Sequence, residues 1–159
     1  MTRRLLILCQ LSFCAFLCSA QTMSVDGDWN GIWTNPAGFV YSAHIILTSG
    51  PGCRTCAVIG DGSIQGKILW TLRKSPASNS TDLSGITQVT ATEYVRGEMK
   101  GEGFLVLNGY QKDDPHNIIG LDQYRLAISD NGKVIGGITA NNGSWTGQLI
   151  AMRAQPKPL

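Results

Sequence analysis

The chain has 159 residues with 13 basic and 11 acidic side chains, a formal charge of +2. So weak a charge gives no electrostatic footprint for nucleic acid or an anionic membrane surface. Nineteen glycines without a three-residue period exclude collagen, and an apolar fraction of 43% excludes a disordered chain.

Arg3 and Arg4 open a positive segment, Leu5 to Cys18 is almost unbroken apolar, and Ser19-Ala20 supplies small residues for a signal peptidase. Residues 1–20 are therefore predicted to be a cleaved export signal, too short and too early for a membrane span. The exported chain, secreted or periplasmic, would begin near Gln21 with no membrane insertion. Phe13 before Cys14 and Leu17 before Cys18 disfavour a lipid anchor, which needs a small residue there. Without Arg3 and Arg4, 11 basic side chains balance 11 acidic ones, and Cys53 and Cys56 are the cysteines that remain.

Residues 21–153 read as a single β domain. Asp28 to Thr34 alternates, with Trp29, Gly31 and Trp33 on one face. Phe39 to Thr48 places Tyr41, Ala43, Ile45 and Leu47 on one face and His44 on the other. A short Cys56 to Ile59 segment precedes the Asp61-Gly62 hairpin signal. Ile64, Gly66, Ile68, Trp70 and Leu72 then alternate within Ser63 to Leu72. Ser75 to Ser84 has loop composition. Gly85 to Arg96 reads as a strand, Gly97 to Gly103 as its turn, and Phe104 to Gln111 as the next strand. After a polar connector, Lys112 to His116, a strand lies within Asn117 to Ser129. Asp130-Asn131-Gly132 and Asn141-Asn142-Gly143 close hairpins onto Lys133 to Ala140 and Ser144 to Met152. Residues 154–159 form a flexible tail. About eight strands joined by hairpins predict a small all-β, antiparallel up-and-down barrel, with a two-sheet sandwich as the alternative.

Gly31-Ile32-Trp33-Thr34-Asn35-Pro36-Ala37-Gly38 resembles the first strand of the avidin family, G-x-W-x-N-x-x-G, and its Gly-x-Trp is similar to the start of lipocalins. The resemblance to these calycin-type barrels implies eight strands, Trp33 as a plug of the barrel floor, and Asn35 turned towards a ligand. It also admits homo-oligomerisation. Phe39 follows Gly38 where avidins carry a serine, and Ile68 stands where they carry a tyrosine. The later tryptophans that box biotin have no match here. The resemblance implies a barrel and not biotin binding.

Cys53-Arg54-Thr55-Cys56 follows Gly50-Pro51-Gly52 and leads into a strand, whereas a redox C-x-x-C opens a helix. The pair reads as a disulfide staple, with redox chemistry, metal binding and intermolecular pairing as the other readings. Asp113, Asp114, His116 and Asp122 gather carboxylates and an imidazole near one connector. Such a cluster suits Ca²⁺ or acid–base work, but Asp-Asp-Pro is also what a solvated turn selects. No G-x-S-x-G elbow or cofactor motif is present. Glu93, Arg96, Glu98, Lys100 and Glu102 read as a solvated, mixed-charge hairpin. Asn79-Ser80-Thr81 and Asn142-Gly143-Ser144 match the glycosylation pattern.

These features predict a non-catalytic binding module for a small apolar or amphipathic ligand. Asn35, Tyr41, Ile68, Trp70 and Tyr110 are its candidate contacts, with Trp29, Trp33 and Trp145 as structural packing. No metal site and no catalytic residue is assigned. The alternative is a protein-interaction module, for example a proteinase inhibitor, with a solid barrel and working loops. An enzyme built on the Asp113–Asp122 cluster ranks last.

Overall fold

Period-two alternation puts one face of every strand inside a single closed surface. A computed structural model describes residues 24–49, 64–76, 88–101 and 103–155. The predicted signal, the Cys53–Cys56 pair and the Asp61-Gly62 turn lie outside these residues.

The strands are β1 (Gly27–Thr34), β2 (Val40–Ser49), β3 (Ile64–Lys74), β4 (Thr90–Lys100), β5 (Phe104–Asp113), β6 (Asp122–Ile128), β7 (Val134–Asn141) and β8 (Thr146–Arg153). Each pairs antiparallel with the next, and β1 also pairs with β8 from Trp29↔Arg153 to Thr34↔Gln148. The sheet is thus a closed eight-stranded barrel, not a sandwich. Closure pairs the edge N–H and C=O groups that an open meander would leave exposed.

Ile45, Leu47, Ile68, Leu105, Leu107, Leu126, Ile135 and Leu149 fill the middle of the barrel and are fully buried. The end at which β1 begins and β8 ends is closed by a ring. Trp29 is buried there, its Nε1–H donating to the Val25 carbonyl at 3.0 Å. The Arg153 guanidinium lies 4.2 Å over the Trp29 ring and donates to the carbonyls of Gly132 (3.0 Å), Ser24 (2.7 Å) and Asp26. One arginine therefore ties the β6–β7 turn and the segment before β1 across the plug. The floor residue implied for Trp33 by the resemblance is in fact Trp29. Four positions apart on the same face of one strand, Trp29 and Trp33 lie at different depths, separated by roughly 13 Å at about 3.3 Å rise per residue.

Two boundaries differ from the sequence reading. Gly97 lies inside β4, paired with Leu107, so the predicted 97–103 turn shrinks to the tight connection after Lys100. The inward parity of Val95 simply runs on through Gly97. β5 extends to Asp113 through an irregularity: Val95 pairs with Gly109 but Tyr94 with Gln111, leaving Tyr110 as an extra residue.

Candidate functional site

Opposite the Trp29 plug, the connections β5–β6 and β7–β8 border an open cavity of about 410 Å³. Its walls are Trp33, Tyr41 and Trp70, with Trp145 at the mouth and Ile118 to Asp122 along one side. Glu93 lies in the lining, although it is only 1% exposed.

The rings come from three adjacent strands. Trp33 meets Tyr41 edge-on, with centroids 5.5 Å apart, and Tyr41 meets Trp70 the same way at 6.1 Å. Each polar ring atom is spent on the protein. Trp33 Nε1–H donates to Thr139 Oγ1 at 2.7 Å, Tyr41 O–H to the Ile118 carbonyl at 2.7 Å, and Trp70 Nε1–H to Glu93 Oε2 at 3.2 Å. Rings held by both packing and hydrogen bonds form rigid, preorganised walls.

Glu93 occupies the inward parity of β4, between Ala91 and Val95. Its Oε2 accepts from Trp70 and from the Tyr124 hydroxyl, and its Oε1 accepts from Asp122 N–H at 2.8 Å. Burial pushes its carboxyl up to about 7, outweighing these three hydrogen bonds. Gly109 of β5 makes the room, since a Cβ there would run into the Glu93 carboxylate. The expectation that Glu93 belongs to a solvated hairpin is therefore corrected. The overlooked signal was parity: Ala91, Glu93 and Val95 share a face two residues apart.

The β5–β6 connection is built on Asp114. Its carboxylate accepts from Ile118 N–H (2.9 Å), Ile119 N–H (3.0 Å) and Lys112 Nζ (3.0 Å). Burial raises that carboxyl, but the two N–H groups and the Lys112 ammonium together outweigh it and hold it low. Lys112 Nζ also donates to the Ile119 carbonyl at 2.6 Å, folding the segment over the barrel. Asp114 thus organises a turn, as Asp does when its side chain bonds nearby backbone. Among the described residues no group of three His, Cys, Asp or Glu side chains could hold a metal ion. Asp122 is bonded by Thr139 and Asn141, and burial raises its carboxyl. Burial, then Asp114 and Asp122, pushes the Tyr41 hydroxyl up to about 12, so it stays a donor.

Among the predicted contacts, Tyr41 and Trp70 face the cavity. Ile68 is buried in the filled middle of the barrel and is not among the lining residues. Asn35 closes the β1–β2 turn, its Oδ1 accepting from Phe39 N–H at 3.0 Å, and is likewise outside the lining. Tyr110 sits on the outer face, 45% exposed, with the Arg96 guanidinium 5.0 Å from its ring. It shares the outward parity of Val106 and Asn108, opposite the buried Leu105 and Leu107. Trp33 and Trp145, read as packing, line the cavity, and Trp145 rests on Phe39 at 4.8 Å while 42% exposed. Outside the cavity, His44 pairs with Asp28 at 3.2 Å on the outer face.

Gly147 provides a check on this geometry. A Cβ at that position would overlap the Trp33 ring, which its hydrogen bond to Thr139 holds in place. Gly147→Ala is expected to destabilise the fold by roughly 1–3 kcal/mol through overpacking. It should also shift tryptophan emission as Trp33 is displaced. An unchanged melting curve and spectrum would show that Trp33 is not held there.

Fold and site together define a closed eight-stranded antiparallel barrel, plugged at one end and hollow at the other. A scan against protein-family models finds no match, and neither does a search of curated proteins. Among solved structures the chain is similar to a redesigned β-barrel, mFAP0, bound to DFHBI. The two share 13% identity at a TM-score of 0.48, over 81% of this chain and 98% of that one.

Proposed function

We propose that this chain is an exported, non-catalytic binding module that holds one small apolar or amphipathic ligand in the open end of its barrel. The observation that carries the reading is the aromatic cavity of about 410 Å³, within the size range of small-molecule sites. Its walls are apolar rings, with a few polar groups at fixed positions, the composition of a small-ligand site. The non-catalytic part rests on how Glu93 is held. A carboxylate engaged by Trp70, Tyr124 and Asp122 N–H is positioned as a fixed polar contact. Export rests on the character of residues 1–20 alone.

Native mass spectrometry of the protein purified from its own host tests the reading. A small-molecule adduct is expected, lost on denaturation and weakened in Trp70→Ala. A bare mass, with an identical spectrum for the variant, would move the assignment to a loop-mediated interaction module.

A further inference from the structure

We propose that the cavity selects an organic cation, an ammonium group on a small aromatic or apolar body. Its charge would lodge between the Glu93 carboxylate and the faces of Trp33, Tyr41 and Trp70. This deepens the ligand-binding reading above and rests on it.

Three observations converge. First, the described lining contains two carboxylates, Glu93 and Asp122, and no Lys, Arg or His. The nearby cation, Lys112, is committed to Asp114, Asn117 and Ile119 on the loop. Second, the hydrogen-bond donors of the ring walls point into the protein, to Thr139, Ile118 and Glu93. With these donors engaged, what the three rings offer a ligand is aromatic surface, which favours a cation over an anion. Third, a carboxylate offers about four acceptor sites, and protein donors fill three of those on Glu93. One site is left for a ligand N–H.

Proton linkage follows. Towards Glu93 face Tyr124 and Asp122 from β6 and Trp70 from β3; β5 contributes Gly109 and Glu93's cross-strand partner Lys112, whose ammonium is bonded to Asp114 and Ile119, and Tyr41 of β2 shares the cavity. Both tyrosine hydroxyls are pushed up by burial, so they stay neutral near pH 7. Glu93, pushed up to about 7, is the group that gains charge between about pH 5.5 and 8. A bound ammonium favours the ionised carboxylate, so binding of the amine should tighten as pH rises through that range.

The test uses three probes of one skeleton: phenethylamine, 2-phenylethanol and phenylacetate. Each is titrated into the protein by calorimetry and by quenching of the cavity tryptophans. The amine is expected to bind at least about tenfold more tightly than the alcohol at pH 8, and phenylacetate more weakly than either. That preference should shrink by about tenfold at pH 5.5 and should be lost in Glu93→Gln, while the alcohol's affinity stays level. Binding of the alcohol or the acid as tightly as the amine by the wild-type protein overturns the cation assignment and leaves the ligand-binding reading intact. Absence of binding by all three at millimolar concentration overturns both.

Discussion

The stability of the wild-type protein is expected to fall as pH rises from about 4.5 to about 7, and Glu93→Gln should lose most of that slope. Below about 4.5 the Glu93 carboxyl is protonated in both the folded and the unfolded chain. Between the two values the unfolded chain releases this proton while burial keeps it on the folded one. The stability linked to the proton is therefore complete at the acid end and is lost as pH passes the folded value. The interval corresponds to about 3 kcal/mol, a large share of a typical domain's stability. Asp122, also raised by burial, adds a smaller effect of the same sign that would survive in the variant. Asp114 and Asp26 have lowered carboxyls and act in the opposite direction, losing stability only as pH falls below 3.8. Urea unfolding at half-unit pH intervals measures the slope. Parallel curves for wild type and Glu93→Gln would mean that Glu93 is solvated and not lodged in the barrel.

Trp29→Ala is expected to cost about 3–5 kcal/mol, the range for emptying a large aromatic site in a core. The substitution removes a fully buried ring, its hydrogen bond to Val25 and the surface on which Arg153 rests. The freed cavity lies under a guanidinium that three carbonyls hold in place, so collapse into it is resisted. Trp145→Ala, at the cavity mouth, should change stability by less than about 1 kcal/mol because the ring is already half in solvent. It should instead weaken ligand binding. Denaturant titration of both variants separates plug from site. Equal losses for the two would show that this division of roles is wrong.

Much of the fold was legible because its causes are local. Alternation in β1, β2 and β3 identified Trp29, Trp33, Tyr41, Ile45, Ile68 and Trp70 as one-sided, and the structure buries each of them. The Asp130-Asn131-Gly132 signal marked the β6–β7 turn, where Gly132 takes a φ of +65°. The site was less legible. Tyr41 and Trp70, candidate contacts from the sequence, line the cavity, but the parity of Glu93 is masked by charged sequence neighbours that lie outside the barrel. β7 and β8 carry apolar residues on both faces: Ile135 and Leu149 are buried while Ile138 and Ile150 are exposed. Hydrophobicity alone could not orient them.

By itself, then, the sequence determined a meander of about eight strands, its hairpin order and the inward parity of β1 to β3, since a period of two and turn chemistry act over a few residues. Three matters were decided by the tertiary structure alone. Closure through β1 and β8 joins residues more than a hundred positions apart. Depth along the barrel makes Trp29 a plug and Trp33 a wall, though they share a face. Across the β4–β5 pairing, Gly109 opens the space that the Glu93 carboxylate fills. Each depends on how distant strands are staggered against one another, and stagger is fixed only when the sheet closes.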